Sequence, residues 1–379
     1  MWLIIIAVIF TILIAGIAYM VFAVGKFGLI QKAGGGKRWK RVLVSLALIA
    51  AVFAVCSFAM SVVNAIVVMI AAFMFFLLFG IIGFALRKIS GRSGANTYDN
   101  GDAKKKGINW PGWLALLATV IYLAAGYYLC NNVWQTDYDL KTDKDLGKLK
   151  IAMFADSHIG TTFDGKGFAS ELKKIEKQSP DILLIPGDYV DDWSKKEDVE
   201  EACKALGRAK IKYGVWFAYG NHDEGRFRER DFSAEELEAM LRENGVHIMD
   251  DTCQMVDGRF YVAGRLDSML SDRKSMDDLL KDVDTGKYII VLDHEPNAYD
   301  EEADSAADLV VSGHTHGGQL FPFNEVGVIA GVNDRTYGYE KRKGTDFIVT
   351  SGISDWALLF KTGTKSEYVM IDVEQNKYK

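Results

Sequence analysis

Five of the six histidines in this chain stand in short motifs rich in Asp, Asn and Gly: Asp156-Ser157-His158, Gly220-Asn221-His222-Asp223, Asp293-His294-Glu295 and Gly313-His314-Thr315-His316. Gly187-Asp188 is of the same kind. Imidazole nitrogens in company with carboxylate and carboxamide oxygens suit borderline divalent cations. Asp156 and His158 are two residues apart at the end of an apolar run, so in extended geometry both side chains point to one face. Asp188 offers a carboxylate beside a glycine that lets the backbone turn closely, and a carboxylate is able to bridge two cations about 3.5 to 4 Å apart. Asn221 supplies a neutral oxygen, His222 an imidazole, and Asp223 a carboxylate able to orient that ring. His314 and His316 are bracketed by Gly313, Gly317 and Gly318, which permit tight backbone approach. Each motif alone also reads as an ordinary polar turn; together they point to a two-metal hydrolytic centre. The sixth histidine, His247, reads as a strand residue.

Every one of these motifs follows an apolar run: 150–154, 181–185, 215–218, 288–292 and 309–311. Helical spacing over 168–177 and 197–209 separates the first three runs. Strands alternating with helices predict an α/β unit with its ligands outside the carboxyl ends of the strands, where loops converge. Residues 246–265 predict two or three strands with a turn at Asp257-Gly258, and 347–349 and 368–373 supply more. Two packed sheets flanked by helices, a four-layer β-sandwich arrangement, accommodate this pattern.

The preceding part of the chain belongs in a different solvent. Four apolar stretches, 1–24, 42–63, 65–86 and 113–128, approach the ~20 helical residues that cross a bilayer core. They are apolar on every face, unlike helices of a water-soluble fold. A cleaved signal peptide needs a basic leading segment, and Met1-Trp2-Leu3 has no cationic side chain. The predicted organisation is a four-helix transmembrane domain over 1–134, a solvated stalk over 135–148 and a soluble domain over 149–379. Lys26, Lys32, Lys37, Arg38, Lys40 and Arg41 lie in one connection, and Arg87, Lys88, Arg92 and Lys104-Lys105-Lys106 in another; 94–107 reads as a flexible tether. The connection near Asn64 carries no charge. Basic residues are retained on the cytoplasmic side, which predicts a multi-pass cell-membrane protein with its large domain extracytoplasmic.

The net charge of -6 argues against a nucleic-acid partner. The four cysteines have no metal-ligand spacing; a single bridge between Cys203 and Cys253 remains open in an oxidising compartment. The soluble part has no Gly-x-Ser-x-Gly elbow and no Cys-His pair, so acyl-transfer chemistry lacks a nucleophile.

The order and wording of the five motifs resemble the calcineurin-like metallophosphoesterase superfamily over 149–373. Residues 313–323 with Thr350-Ser351-Gly352-Ile353 are most similar to its membrane-associated bacterial branch, which includes relatives proposed to act on lipid-linked phosphoesters. The resemblance implies two divalent ions, Mn, Fe or Zn, one held by Asp156, His158, Asp188 and His316 and the other by Asp188, Asn221, His294 and His314. It implies a phosphatase or phosphodiesterase in which a metal-activated hydroxide attacks phosphorus. His222 would protonate the leaving oxygen, with Asp223 holding its ring. The implied partner is a phosphoester, extending to a lipid or cell-envelope metabolite. Asp191 reads either as support for the ligands or as a solvated acid. The apolar run 356–360 reads as core or, if exposed, as a surface for the bilayer or an acyl chain. Lys361 stands where family members often carry Arg. Two other readings remain: a noncatalytic sensor or binding head on the same fold, and a transporter, for which the spans lack charged residues along a path.

Overall fold

The computed structural model describes residues 14–90, 108–225, 230–268 and 272–376. They fall into two units, Met1–Ala125 and Gly126–Lys379. In the first, helix α1 spans Ile14–Val24, α2 Gly28–Ala33, α3 Arg38–Ala59 and α4 Val62–Ile89; α5, Trp110–Asn131, runs on into the second unit. α3, α4 and α5 are long and apolar enough to cross a membrane, while α1 is shorter. Four spans were expected; most of the first, 1–24, lies outside the described residues, as do Arg92, the tether 94–107 and its lysines. α5 begins three residues before the expected span and ends three after it. α3 and α4 are divided at Met60-Ser61, where the Ser61 hydroxyl caps α4 by accepting the Asn64 N–H at 3.2 Å. Arg87 and Lys88 occupy the last turn of α4, where positive charge complements the helix dipole.

The second unit holds twelve strands: β1 Trp134–Thr142, β2 Lys148–Met153, β3 Ile182–Pro186, β4 Val215–Ala218, β5 His247–Ile248, β6 Thr252–Val256, β7 Phe260–Gly264, β8 Tyr288–Leu292, β9 Leu309–Ser312, β10 Gly338–Arg342, β11 Thr345–Val349 and β12 Glu367–Gln375. They form two six-stranded mixed sheets, β1-β12-β2-β3-β4-β5 and β10-β11-β9-β8-β7-β6. Alternation along the strands sorts side chains into three layers. Ile151, Met153, Ile182, Leu184, Trp216, Ile290, Leu292 and Val311 fill the space between the sheets. Ala152, Leu183, Ile185 and Phe217 face the other way, beneath α6 (Gly165–Glu176), α7 (Lys196–Arg208) and α8 (Ala234–Glu243). Ile289, Val291, Val310 and Phe347 pack under α9 (Met276–Leu280) and α10 (Tyr299–Ala303). The result is helix, sheet, sheet, helix. Because β2, β3 and β4 are mutually parallel, as are β8 and β9, their carboxyl ends gather at one edge.

The stretch expected as a stalk, 135–148, is largely the edge strand β1, which pairs in parallel with β12 from Trp134 to Thr142. Its Asp and Lys residues occupy the outward positions of a strand whose Leu140 and Thr142 are buried. A period of two with charge on the solvent side looks, in isolation, like solvated coil. His247 lies in β5 and stacks on Trp216 at 4.2 Å between ring centres. All four cysteines carry free thiols, so Cys203 and Cys253 are not bridged.

Candidate metal centre

Five strand ends deliver the chemistry. Asp156 and His158 follow β2, Asp188 follows β3, Asn221 to Asp223 follow β4, His294 follows β8, and His314 and His316 follow β9. Asp156, His158, Asp188, His314 and His316 all adopt left-handed backbone, with φ between 36° and 68°, a conformation that costs non-glycine residues energy and collects at functional sites. The glycines beside them are there for clearance: a Cβ on Gly187 would lie 2.5 Å from His294 Nδ1, and one on Gly313 would lie 2.7 Å from Asp156 Oδ2.

The side chains converge as two groups, Asp156 with His158 and His316, and Asp188 with His294 and His314; within each group the donor atoms lie within 4.8 Å of one another. Asp188 joins the groups. Its Oδ2 stands 3.7 Å from His158 Nε2 and 3.1 Å from His294 Nε2, and its Oδ1 accepts the His222 backbone N–H at 2.9 Å. Asn221 Oδ1 is 3.0 Å from His314 Nδ1, and the Nε2 atoms of His158 and His316 are 3.3 Å apart.

These residues fit a pair of divalent cations. His294 Nδ1–H donates to the Pro186 carbonyl at 2.8 Å, which turns the Nε2 lone pair toward Asp188. That nitrogen is buried 3.1 Å from Asp188 Oδ2 but outside hydrogen-bonding geometry with it. A buried acceptor without a donor is costly unless something electrophilic fills the gap.

Apart from any bound cation, burial and the neighbouring charges bias the protonation of these groups. Burial, reinforced by the neighbouring imidazoles, lowers the pKa of His158 despite Asp188. Burial and His294 lower His314. Burial opposes protonation of His294, but Asp188 overrides it and raises the pKa; Asp156 and Asp355 do the same for His316 against its own burial. Asp188 is held low by His294, against burial.

The supporting residues differ from expectation. Asp223 does not hold the His222 ring. Its two oxygens accept four backbone N–H groups, from Asp188 at 2.8 Å, Tyr189 at 2.8 Å, Val190 at 3.1 Å and Gly220 at 2.7 Å. Burial first, and then the Asp188 charge, push its carboxyl up to about 7 against those donors. The carboxylate beside His222 is Asp192, whose Oδ2 lies 3.8 Å from Nδ1. Asp191 Oδ2 lies 4.0 Å from His158 Nδ1, and its oxygens accept from the Thr161 hydroxyl and the Trp193 N–H. His316 has an equivalent in Asp355, 3.4 Å from its Nδ1.

Lys361 is fully buried and turned away from solvent. Its ammonium donates to the carbonyls of Ser351 at 2.6 Å and Ser354 at 3.2 Å and pairs with Asp355 at 3.2 Å. The apolar run before it divides: Phe360 is buried, while Trp356 remains partly exposed with its ring 5.3 Å from that of His222.

Two sheets bearing clustered His, Asp and Asn ligands at their shared carboxyl edge define a metallophosphoesterase-type α/β domain. The family model for calcineurin-like phosphoesterases matches residues 149–318. An uncharacterized metallophosphoesterase of Aquifex aeolicus is 34% identical over 194 residues, covering 48% of this chain and 70% of that protein. One from Campylobacter jejuni is 28% identical over 281 residues, covering 70% of each. A Danio rerio protein named as a transmembrane protein with a metallophosphoesterase domain is 26% identical over 256 residues, which cover 62% of this chain and 55% of that one. The chain belongs to the calcineurin-like metallophosphoesterase family. A second family model, for amino acid permeases, matches residues 1–161, which include the apolar helices.

Proposed function

We propose that this protein is a membrane-anchored, two-cation phosphoesterase that hydrolyses phosphate mono- or diesters. Asp156, His158, Asp188 and His316 would hold one cation, and Asp188, Asn221, His294 and His314 the other. The observation that carries this reading is the placement of Asp188 Oδ2 between His158 Nε2 and His294 Nε2. Cations held by these residues would supply an acidified water as nucleophile and charge neutralisation for the phosphoryl group. The chain's own groups do the rest. Asp223 fixes the turn that carries Asp188, and the His222 backbone N–H fixes one oxygen of that carboxylate. The His222 ring, edge-on to His158 at 5.2 Å and with Asp192 on its Nδ1 side, delivers a proton to the leaving oxygen through Nε2. Trp356 bounds the space over that ring.

The apolar helices support a membrane location, and the lysines and arginines between them argue for a catalytic unit outside the cytoplasm. The anchor is also the argument for a lipid or cell-envelope phosphoester. The test is hydrolysis of aryl phosphate mono- and diesters by the full-length protein in detergent with added Mn. Asp188→Ala and His314→Ala lose metal and turnover together. His222→Ala keeps its metal and loses turnover about 10²- to 10⁴-fold. Lack of hydrolysis by the Mn-loaded protein would sink the reading, and full turnover in the His222 variant would remove that residue from the reaction.

A further inference from the structure

Four residues beyond the ligand His316 begins a segment, Leu320 to Val332, that carries one charged side chain, Glu325. Phe321, Phe323, Val326, Ile329 and Val332 are all exposed, Ile329 to 83% and Phe321 to 59%. Its short helix α11, Val326–Ile329, buries nothing. A run of large apolar side chains held against water in this way marks a surface that meets something apolar.

The backbone says what that is. Within the second unit, Phe321 N–H donates to the Thr362 hydroxyl at 3.0 Å, and the N–H groups of Thr362 and Gly363 donate to the Gln319 carbonyl at 2.8 and 3.1 Å. The next residue back, Lys361, donates its N–H to the Gly126 carbonyl at 3.0 Å, in the last turns of α5. The fit there is close: a Cβ on Gly126 would lie 2.6 Å from the Thr362 methyl. Ser366 closes the same contact by donating its N–H to Leu129 O at 3.0 Å and its hydroxyl to Cys130 O at 2.7 Å. Two hydrogen-bonded steps therefore connect the apolar segment to the end of an apolar helix long enough to span a bilayer. Around that helix end, Tyr127, Tyr128 and Trp134 are exposed, the residue types that gather at the level of lipid head groups.

We propose that the segment Leu320 to Val332 is a membrane-inserting lip, which seats its apolar side chains in the interfacial zone of the bilayer where α5 leaves it. The inference rests on α5 being a membrane span, and it stands apart from the chemistry of the site. Phe321, Phe323 and Ile329 supply the buried face, and Glu325 is kept compatible with the interface by accepting hydrogen bonds from the Thr336 hydroxyl and the Asn324 amide.

The experiment uses the full-length protein in phosphatidylcholine and phosphatidylglycerol vesicles. Ile329→Cys is labelled with an environment-sensitive NBD maleimide, with the unsubstituted protein as the labelling blank. Lipids carrying a doxyl quencher near the head group should quench this label and shift its emission to the blue. The same label at Lys281→Cys, on the turn leading into β8 away from the site, should do neither. A label at Leu117→Cys, exposed on α5, should be quenched by doxyl placed deep in the acyl chain. Equal quenching at Ile329 and Lys281 overturns the lip. An unquenched Leu117 label overturns the span, and the lip with it. Because nothing in this readout depends on turnover, loss of aryl phosphate hydrolysis would strike the proposed function and leave the lip standing.

Discussion

Asp223→Ala separates a structural carboxylate from a catalytic one. The native side chain is fully buried and accepts N–H groups from Asp188, Tyr189, Val190 and Gly220. A hydrogen bond to a charged acceptor contributes about 1.5–3 kcal/mol, and a buried donor left without a partner costs about 1–3 kcal/mol. Water entering the space vacated by the carboxylate can serve about half of the four donors, which leaves a net loss of about 3–6 kcal/mol. For a unit of this size that loss, a large part of the ~5–15 kcal/mol that holds a typical domain folded, lowers the melting temperature by about 6–24 °C. Asp223→Asn keeps one acceptor oxygen but turns an NH₂ toward two N–H donors, so its loss should fall between the native protein and the alanine variant. Thermal unfolding followed by intrinsic fluorescence, with metal content by mass spectrometry, reads both effects. Asp223→Ala should melt early and lose metal, because the turn that aims Asp188 collapses; His222→Ala should melt with the native protein. An Asp223→Ala protein that melted normally, kept its metal and lost only turnover would refute this reasoning and return the carboxylate to the His222 ring.

Three further outcomes follow from buried groups elsewhere. Lys361→Met removes a fully buried ammonium and strands Asp355, for a loss of about 3–5 kcal/mol visible in the same melting assay; a shift near zero would mean that Asp355 is satisfied without it. Glu302 is held well above its ordinary pKa by burial and by the charge of Asp293. Its stabilising contribution is therefore complete below about pH 4 and lost as pH rises through the elevated native value, so Glu302→Gln should gain on the native protein as pH is raised, and a constant difference across pH would count against it. The Cys203 thiol is buried and pushed up to about 12 by that burial, so N-ethylmaleimide should modify it only after unfolding, whereas rapid labelling of the native protein would show the helix α7 face to be open.

The parts of the fold legible in the sequence are those where one side of an element meets one solvent. The runs before Asp156, Asp188, Gly220, Asp293 and Gly313 are strands, and the segment 246–265 holds three with the turn at Asp257-Gly258. β1 was hidden because its outward Asp137, Asp139 and Lys141 mask the inward Leu140. The candidate site was legible in its donors, since Asp, His and Asn beside glycine carry their own signal. Its supports were not. Asp192, Asp355 and Lys361 act through distances set by the tertiary fold, and Asp355 lies nearly forty residues from the ligand it faces. Asp223 is concealed for a local reason: adjacency to His222 suggests a partner for that ring, whereas the left-handed turn at Asp188 swings the N–H groups of Asp188, Tyr189 and Val190 into its reach, beside that of Gly220. Asp and His are enriched in left-handed backbone, but residue type alone does not locate it.

The position of β12 has a consequence for biogenesis. This strand, last in chain order among the described residues, fills the slot between the first two strands of its sheet, pairing with β1 along nine residues and with β2 along six. During synthesis at about 5–20 residues per second, the apolar helices emerge long before that slot can close. Until residues 367–375 arrive, β1 and β2 have no bridge between them and the turn carrying Asp156 has only one flank. A stop before residue 367 would remove an internal stave of the sheet, not a trimming from its margin.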